Sequence, residues 1–118
     1  MITLVNKRTH APTNRDIYCG RGGALGNDWD WRGSKLATKQ CSCREEAIAN
    51  FRVDFLNKIA AMDESLLKPL RGAYRLAKSG DLNLVCFCAP DLDCHARIIK
   101  VWLEEQLDKS SKPCKVEL

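Results

Sequence analysis

The stretch that decides the fold is LNLVCFC at residues 82–88, which is short and almost entirely apolar. An apolar run of this kind is typical of a strand that is covered on both faces, as in a parallel sheet. Upstream of it, residues 2–6 (ITLVN) predict a first strand, and Ile17-Tyr18 marks a short strand end. These segments predict the strands of a largely parallel sheet.

Helical patterns flank the run at residues 82–88. Ser42 and Glu45 form a predicted capping box, which precedes an apolar stripe at helical spacing. The stripe comprises Ile48, Phe51, Phe55, Ile59 and Met62. Residues 63–79 predict a second helix, broken or restarted at Pro69, and residues 94–107 predict a third. This order indicates a small, single-domain α/β protein with a short, mostly parallel sheet.

Length and composition limit the classes of protein to consider. With 118 residues, 45% of them hydrophobic and 29% charged, the chain is expected to form one globular domain over residues 1–118. No apolar run is long enough to span a bilayer and the start does not read as a signal peptide, which predicts a cytoplasmic protein. The net charge of +4 suits an anionic small ligand or a weak nucleic-acid contact better than dedicated DNA binding.

A glycine-rich segment, DIYCGRGGALGNDW at residues 16–29, holds four of the seven glycines. Glycines let backbone N–H groups approach an anion, and an arginine among them can donate two hydrogen bonds to a phosphate or carboxylate. The alternative is a tight turn with an exposed arginine, since no G-x-G-x-x-G opens into a helix. The candidate ligand-binding residues are Lys7, Gly20, Arg21, Gly22, Gly23, Gly26, Asn27 and Trp29.

Three of these candidates have more specific expected roles. Asn27 would fix the geometry of the loop or read a base, and Trp29 or Trp31 would stack a base. Lys7, together with Arg8 and Arg15 of the same polar loop, would add positive charge.

The second unusual segment, CFCAPDLDCH at residues 86–95, also follows a predicted strand. Ligands of α/β sheets bind beyond the carboxyl ends of strands, so we expect both segments on one rim. Cys94 and His95 are the candidate catalytic residues, because the start of a helix would lower the pKa of the Cys94 thiol. The same field favours a neutral His95, whereas Asp91 and Asp93 oppose a thiolate.

The cysteines allow a metal or redox alternative. Cys86, Cys88, Cys94 and His95 offer zinc-binding atoms, but their spacing departs from known zinc sites. No metal ligand and no cofactor is therefore assigned, and a zinc or redox-thiol module stays an alternative. The odd count of seven cysteines, without a secretion signal, favours reduced thiols.

The order of the motifs resembles a known family. The motifs are VNKR at residues 5–8, IYCGRG at 17–22, LGN at 25–27, REEA at 44–47, LVCFCAP at 84–90 and CH at 94–95. Over about residues 3–107, with 108–118 as a tail, the chain resembles domain of unknown function 4326. Two residues depart from the family pattern: Asp28 stands where proline is usual, and Phe87 where tryptophan is common. The resemblance implies a small, Rossmann-like α/β domain with a three-layer fold, of phage or bacterial origin, and carries no established activity.

The motifs favour a small-ligand-binding protein, an enzyme that acts on a nucleotide, nucleoside or related phosphate-bearing ligand by hydrolysis or group transfer. This prediction requires the glycine segment and the start of the last helix to share one pocket. The alternative from another class is a non-enzymatic phage or bacterial protein that binds a host protein or nucleic acid.

Overall fold

Three parallel strands form the main sheet in a computed structural model, which describes residues 1–20, 23–31, 39–87 and 95–111. The strands are β1 (Ile2–Asn6), β2 (Asp16–Tyr18), β3 (Trp29–Asp30), β4 (Lys39–Gln40) and β5 (Leu82–Cys86), and the helices are α1 (Arg44–Ala60), α2 (Glu64–Ser79) and α3 (Ala96–Ser111). Within the described residues, none of the helices is both long enough and apolar enough to cross a bilayer.

The predicted buried strand is the centre of the main sheet. The strand order is β1-β5-β2, and both neighbours run parallel to β5, with Leu4 and Ile17 in register with Leu84 from either side. The strand ends at Cys86 instead of extending to Cys88, which lies outside the described residues. Within the connection that the sequence predicts to be a loop, β3 and β4 form a second, two-stranded parallel sheet.

The core lies on one face of the main sheet. Leu82, Leu84 and Cys86 alternate along β5 and belong to one buried cluster. The helices add to this same cluster through Phe51, Phe55, Leu66, Leu67, Leu70, Ala73, Ala77, Ile99 and Leu103. The α/β class and the short parallel sheets are thus confirmed. A Rossmann-like three-layer arrangement is not confirmed, because the described helices share one core with one sheet face.

The start of α1 differs from the predicted capping box. The helix begins at Arg44, and Cys43, in the N-cap position, donates and accepts no side-chain capping hydrogen bond. The backbone N–H of Ser42 instead donates to the carboxylate of Glu46 at 2.7 Å. The reciprocal acid therefore lies one position later than predicted, and Glu45 is left to face outward.

Pro69 lies inside α2 without breaking it, which corrects the predicted interruption. Proline removes one backbone hydrogen bond, here the one to the carbonyl of Ser65, four residues earlier. Ser65 is an exposed residue of the first turn, where water can reach the backbone. Burial of the helix's leucines on both sides of Pro69 compensates for the lost bond, since packing supplies most helical stability in proteins.

The last helix begins later than predicted. His95 precedes α3 and accepts a hydrogen bond through its carbonyl from the N–H of Ile98 at 3.0 Å. The residue is thus a cap at the helix start, not a member of the first turn. Cys94 lies outside the described residues.

Candidate functional site

The carboxyl ends of β1, β5 and β2 lie at one edge of the main sheet, because the three strands are parallel. Backbone bonds extend the sheet past the strand ends: Lys7 N–H donates to the Cys86 carbonyl, and Cys19 N–H to the Val85 carbonyl, each at 2.8 Å. Asn6 fixes the next turn, since its Nδ2 donates to the Phe87 carbonyl at 3.2 Å and its Oδ1 accepts from the Arg8 N–H at 2.9 Å. Two of the three loops that leave this edge are thereby held together.

A basic-aromatic cluster, defined here as Lys7, Arg8, Tyr18 and Phe87, lies at this edge. Lys7 Nζ is 5.7 Å from the centre of the Tyr18 ring, and the Arg8 guanidinium is 5.5 Å from that of Phe87. The two rings contact each other edge to face at 6.4 Å. Tyr18 is 39% exposed and Phe87 43%, so both rings are open to solvent while held in place.

The described glycines of the segment 16–29 lie beside this cluster. A Cβ on Gly20 would overlap the Tyr18 ring, and one on Gly23 would lie 3.1 Å from Tyr18 Cδ2. The N–H groups of Gly23 and Gly26 donate to the carbonyls of Gly20 and Gly23 at 3.3 and 3.0 Å. Close approach of the ring thus gives a structural reason for glycine at 20 and 23. The predicted anion-holding residues Arg21 and Gly22 lie outside the described residues.

Asn27 has a buried side chain that fixes the loop, one of its two expected roles. Its Nδ2 donates to the Ala47 carbonyl of α1, and its Oδ1 accepts from the Trp29 N–H, both at 3.0 Å. The amide therefore joins the glycine-rich loop to the helix. With only 5% of the residue exposed, Asn27 presents little surface to a ligand.

Trp29 is anchored to α1. Its Nε1 donates to Asp54 Oδ2 at 2.8 Å, and Lys39 Nζ lies 3.2 Å from the same oxygen and 5.2 Å from the centre of the ring. Burial works to raise the pKa of Asp54, but the hydrogen bonds from Trp29 and Lys39 outweigh it and lower that pKa. Asp54 thus stays ionised, and its charge ties Trp29 and β4 to the helix.

His95 links the start of α3 to the end of β2. The buried imidazole packs against the ring of Phe51 at 4.9 Å, and its Nε2 contacts the carbonyl oxygen of Cys19. A carbonyl only accepts, so Nε2 must carry a proton. The two segments that the sequence predicts to converge are joined at this contact, one residue before Gly20.

Cys19, which directly follows β2, and Cys86, the last residue of β5, are buried neighbours. Burial, and secondarily the nearby Cys86, raises the pKa of the Cys19 thiol to about 12. Cys19 is therefore a neutral, apolar thiol at physiological pH. Among the described residues no three His, Cys, Asp or Glu side chains are grouped closely enough to hold a metal ion.

Arg15 does not add charge to this edge, contrary to prediction. Its Nε donates to the Asp81 carbonyl at 2.8 Å, and its Nη2 donates to the Leu76 carbonyl and to Ser79 Oγ at the end of α2. The guanidinium thus caps the negative end of that helix. The position of Arg15 in the sequence, close to the glycine-rich segment, does not indicate that its partners are at the end of α2.

Asp16 accepts several hydrogen bonds that hold the start of β2, a role that the sequence motifs do not indicate. Its carboxylate accepts from the Thr13 N–H at 2.9 Å, from Thr13 Oγ1 at 2.9 Å and from Asn83 Nδ2 at 3.0 Å, and it lies 3.0 Å from His10 Nε2. The Thr-x-x-Asp spacing of Thr13 and Asp16 could have predicted this role, because an Asp side chain often accepts a hydrogen bond from a nearby backbone N–H.

Comparisons with curated proteins and with solved structures gave no match. A family model does match, over residues 2–105 and hence over most of the chain; it is the domain of unknown function (DUF4326). The match includes the three strand ends, the glycine-rich loop and His95. The chain belongs to the DUF4326 family.

Proposed function

We propose that this protein binds a phosphate-bearing ligand of the nucleotide or nucleoside class at the carboxyl edge of the main sheet. The observation that supports this proposal most is the basic-aromatic cluster, where two cations lie against two partly exposed rings. Open α/β sheets bind ligands at this edge.

Each half of the cluster fits one part of such a ligand. Tyr18 and Phe87 offer aromatic surface on which a base can stack. Lys7 and Arg8 offer the positive charge that a phosphate group requires, and neither forms an ion pair within the described part of the chain. A ligand that combines a ring with an anion uses both halves at once.

Turnover of this ligand by hydrolysis or group transfer is the second part of the proposal. The contact between His95 and the Cys19 carbonyl supports it, because it brings the candidate catalytic segment to the same edge as the cluster. The buried imidazole orients the Cys19 backbone. In this proposal Cys94, the neighbour of His95 in sequence, is the candidate nucleophile.

Titration calorimetry tests the binding proposal. The probes are nucleoside monophosphates, the matching nucleosides and inorganic phosphate. We expect saturable binding of at least one monophosphate and weaker binding of its nucleoside and of phosphate alone. Lys7→Ala and Arg8→Ala should each weaken binding about tenfold, as expected for loss of a charged hydrogen bond. Tyr18→Leu should weaken it by a similar factor.

Lys78→Ala is the matched control, because Lys78 also lies over a tyrosine ring, 5.8 Å from the centre of Tyr74 on α2. Its affinity for the same monophosphate should equal that of the wild type. Failure of every probe to bind, or an equal loss in Lys78→Ala, would refute the proposed site. Chromatography of the bound nucleotide after incubation then decides turnover separately from binding.

A further inference from the structure

Helices α1 and α3 form a groove on the outside of the protein. It encloses about 510 Å³ and lies over the contact between Phe55 and Trp102, whose rings meet edge to face at 5.9 Å. Its apolar walls include Leu56, which is 46% exposed, and Val101, which is 48% exposed. A contiguous apolar surface with a polar rim commonly marks a protein interface.

Four charged side chains line the same groove, and their order differs between the two helices. On α1, Glu45 comes first and Arg52 follows, about 10 Å further along the axis. On α3, Arg97 comes first and Glu105 follows after about 12 Å. None of the four forms an ion pair with another described residue.

The midpoint between the charges is apolar on both helices. Ile48 and Ala49 lie midway between Glu45 and Arg52, and Val101 lies midway between Arg97 and Glu105. Each helix thus carries an acid, an apolar centre and a base in a row. A row of this kind is complementary to itself when it is reversed.

We propose that two copies of this chain associate through the groove, about a two-fold axis that crosses α1 near Ile48 and α3 near Val101. Each helix then lies antiparallel to the same helix of the second copy. Glu45 faces Arg52 of the second copy, and Arg97 faces Glu105 of the second copy. The symmetry repeats both pairs, so four ion pairs surround an apolar centre.

The charges favour a second copy over a foreign partner. A two-fold interface uses the same patch on both subunits and therefore requires self-complementarity. Two acids and two bases in these positions meet that requirement. A strongly acidic or strongly basic partner would place like charges against half of them. The interface is separate from the basic-aromatic cluster, so this proposal does not depend on the proposed ligand.

Sedimentation equilibrium under reducing conditions, over a range of protein concentrations, tests the association. We expect a reversible monomer–dimer equilibrium for the wild type. Arg52→Glu should weaken the dimer at least tenfold, because it sets acids against acids along α1. Glu45→Arg should weaken the dimer by a similar factor, because it sets a base at position 45 against Arg52 of the second copy. The double variant Glu45→Arg/Arg52→Glu should restore the dimer to within a few fold, because the reversed row is again self-complementary.

Two further measurements show whether a variant fails to dimerise because of its charges or because it is misfolded. A mixture of the Arg52→Glu and Glu45→Arg proteins should form a heterodimer, although each protein alone is mostly monomeric. Lys68→Glu, an exposed charge reversal on α2 outside the groove, should leave the dimer unchanged. The proposal is overturned by a wild type that stays monomeric, by a dimer indifferent to Arg52→Glu, or by a double variant that does not recover.

Discussion

His95 and Cys19 are 76 residues apart in the sequence, and the imidazole Nε2 of one donates to the backbone carbonyl of the other. Because the imidazole also packs against Phe51, it connects the start of α3, the end of β2 and the inner face of α1. One buried polar side chain thus fixes the position of the last helix relative to the glycine-rich loop.

Replacement of His95 should therefore cost stability. His95→Ala leaves a cavity beside Phe51 and removes the donor to Cys19, for an expected loss of about 3 kcal/mol in the free energy of unfolding. Urea denaturation followed by circular dichroism measures this. Lys100→Ala, on the same helix, should stay close to the wild type, since Lys100 forms only a partly exposed pair with Glu104. Equal stability of His95→Ala and the wild type would contradict the role assigned to His95.

Asn27→Ala should destabilise the protein by about 2 kcal/mol, because the Trp29 N–H loses its acceptor and the Ala47 carbonyl loses a donor. Asn27→Asp should cost more, since it keeps the acceptor but places an ionised group in a buried position. Denaturant unfolding at neutral pH compares the two variants. If Asn27 instead contacts a base, both variants would keep wild-type stability and lose only ligand affinity.

Arg15→Ala should lower the free energy of unfolding by about 1–2 kcal/mol, because the Leu76 carbonyl in the last turn of α2 and the Asp81 carbonyl after the helix lose a cationic donor. Arg71→Ala is the matched control: Arg71 forms an exposed pair with Glu64 and should leave stability close to the wild type. Thermal unfolding followed at 222 nm compares the variants. Ligand affinity should be unchanged in Arg15→Ala. If this variant instead keeps wild-type stability and loses affinity, Arg15 belongs to the binding site.

The ionisation of Asp16 should make the free energy of unfolding depend on pH in the acid range. Burial works to raise the pKa of its carboxyl, but hydrogen bonds from Thr13, Asn83 and His10 outweigh this and hold the pKa well below its ordinary value of 3.8. A lowered folded-state pKa stabilises the protein above the unfolded-state value, and this stabilisation is lost as the pH falls below it. The wild type should therefore lose stability below about pH 4.

Asp16→Asn tests this assignment. At pH 7 the variant should melt roughly 5–10 °C lower, because the Asn amide places a donor against other donors. Between pH 4 and pH 2 its melting temperature should fall less steeply than that of the wild type. Asp81→Asn is the control, since the Asp81 carboxylate is exposed and, among the described residues, forms an ion pair only with the N-terminal amine, at 3.5 Å. Parallel pH curves for Asp16→Asn and the wild type would show that Asp16 does not carry the acid dependence.

The cysteines should differ in reactivity. Iodoacetamide reacts with thiolates, and burial raises the pKa of Cys19 to about 12, so Cys19 should stay unmodified in the native protein at pH 8. The exposed Cys43 should be alkylated much faster than Cys19. Peptide mapping by mass spectrometry after timed alkylation, with a sample in guanidinium chloride as the control, gives both rates. Alkylation of Cys19 at the rate of Cys43 would show that the end of β2 opens to solvent.

Local sequence determined the central strand and the helices of this fold. The apolar run at 82–88 predicts the central strand, and the stripe through Phe51 and Phe55 predicts α1, because burial imposes a period that neighbouring residues display. The basic residues and glycines at the strand ends predict the edge where the candidate site lies. These signals need only the residues of one segment.

Tertiary structure alone decided which side chains meet. Arg15 caps a helix that ends more than sixty residues later. Pro69 is tolerated because the leucines on both sides of it are buried. The Tyr18 ring lies against Gly20, which leaves no room for a Cβ there. The partner of His95 is likewise a distant backbone carbonyl. A polar group finds its partner through the packing of whole elements, and the spacing of residues along a single element does not encode that packing.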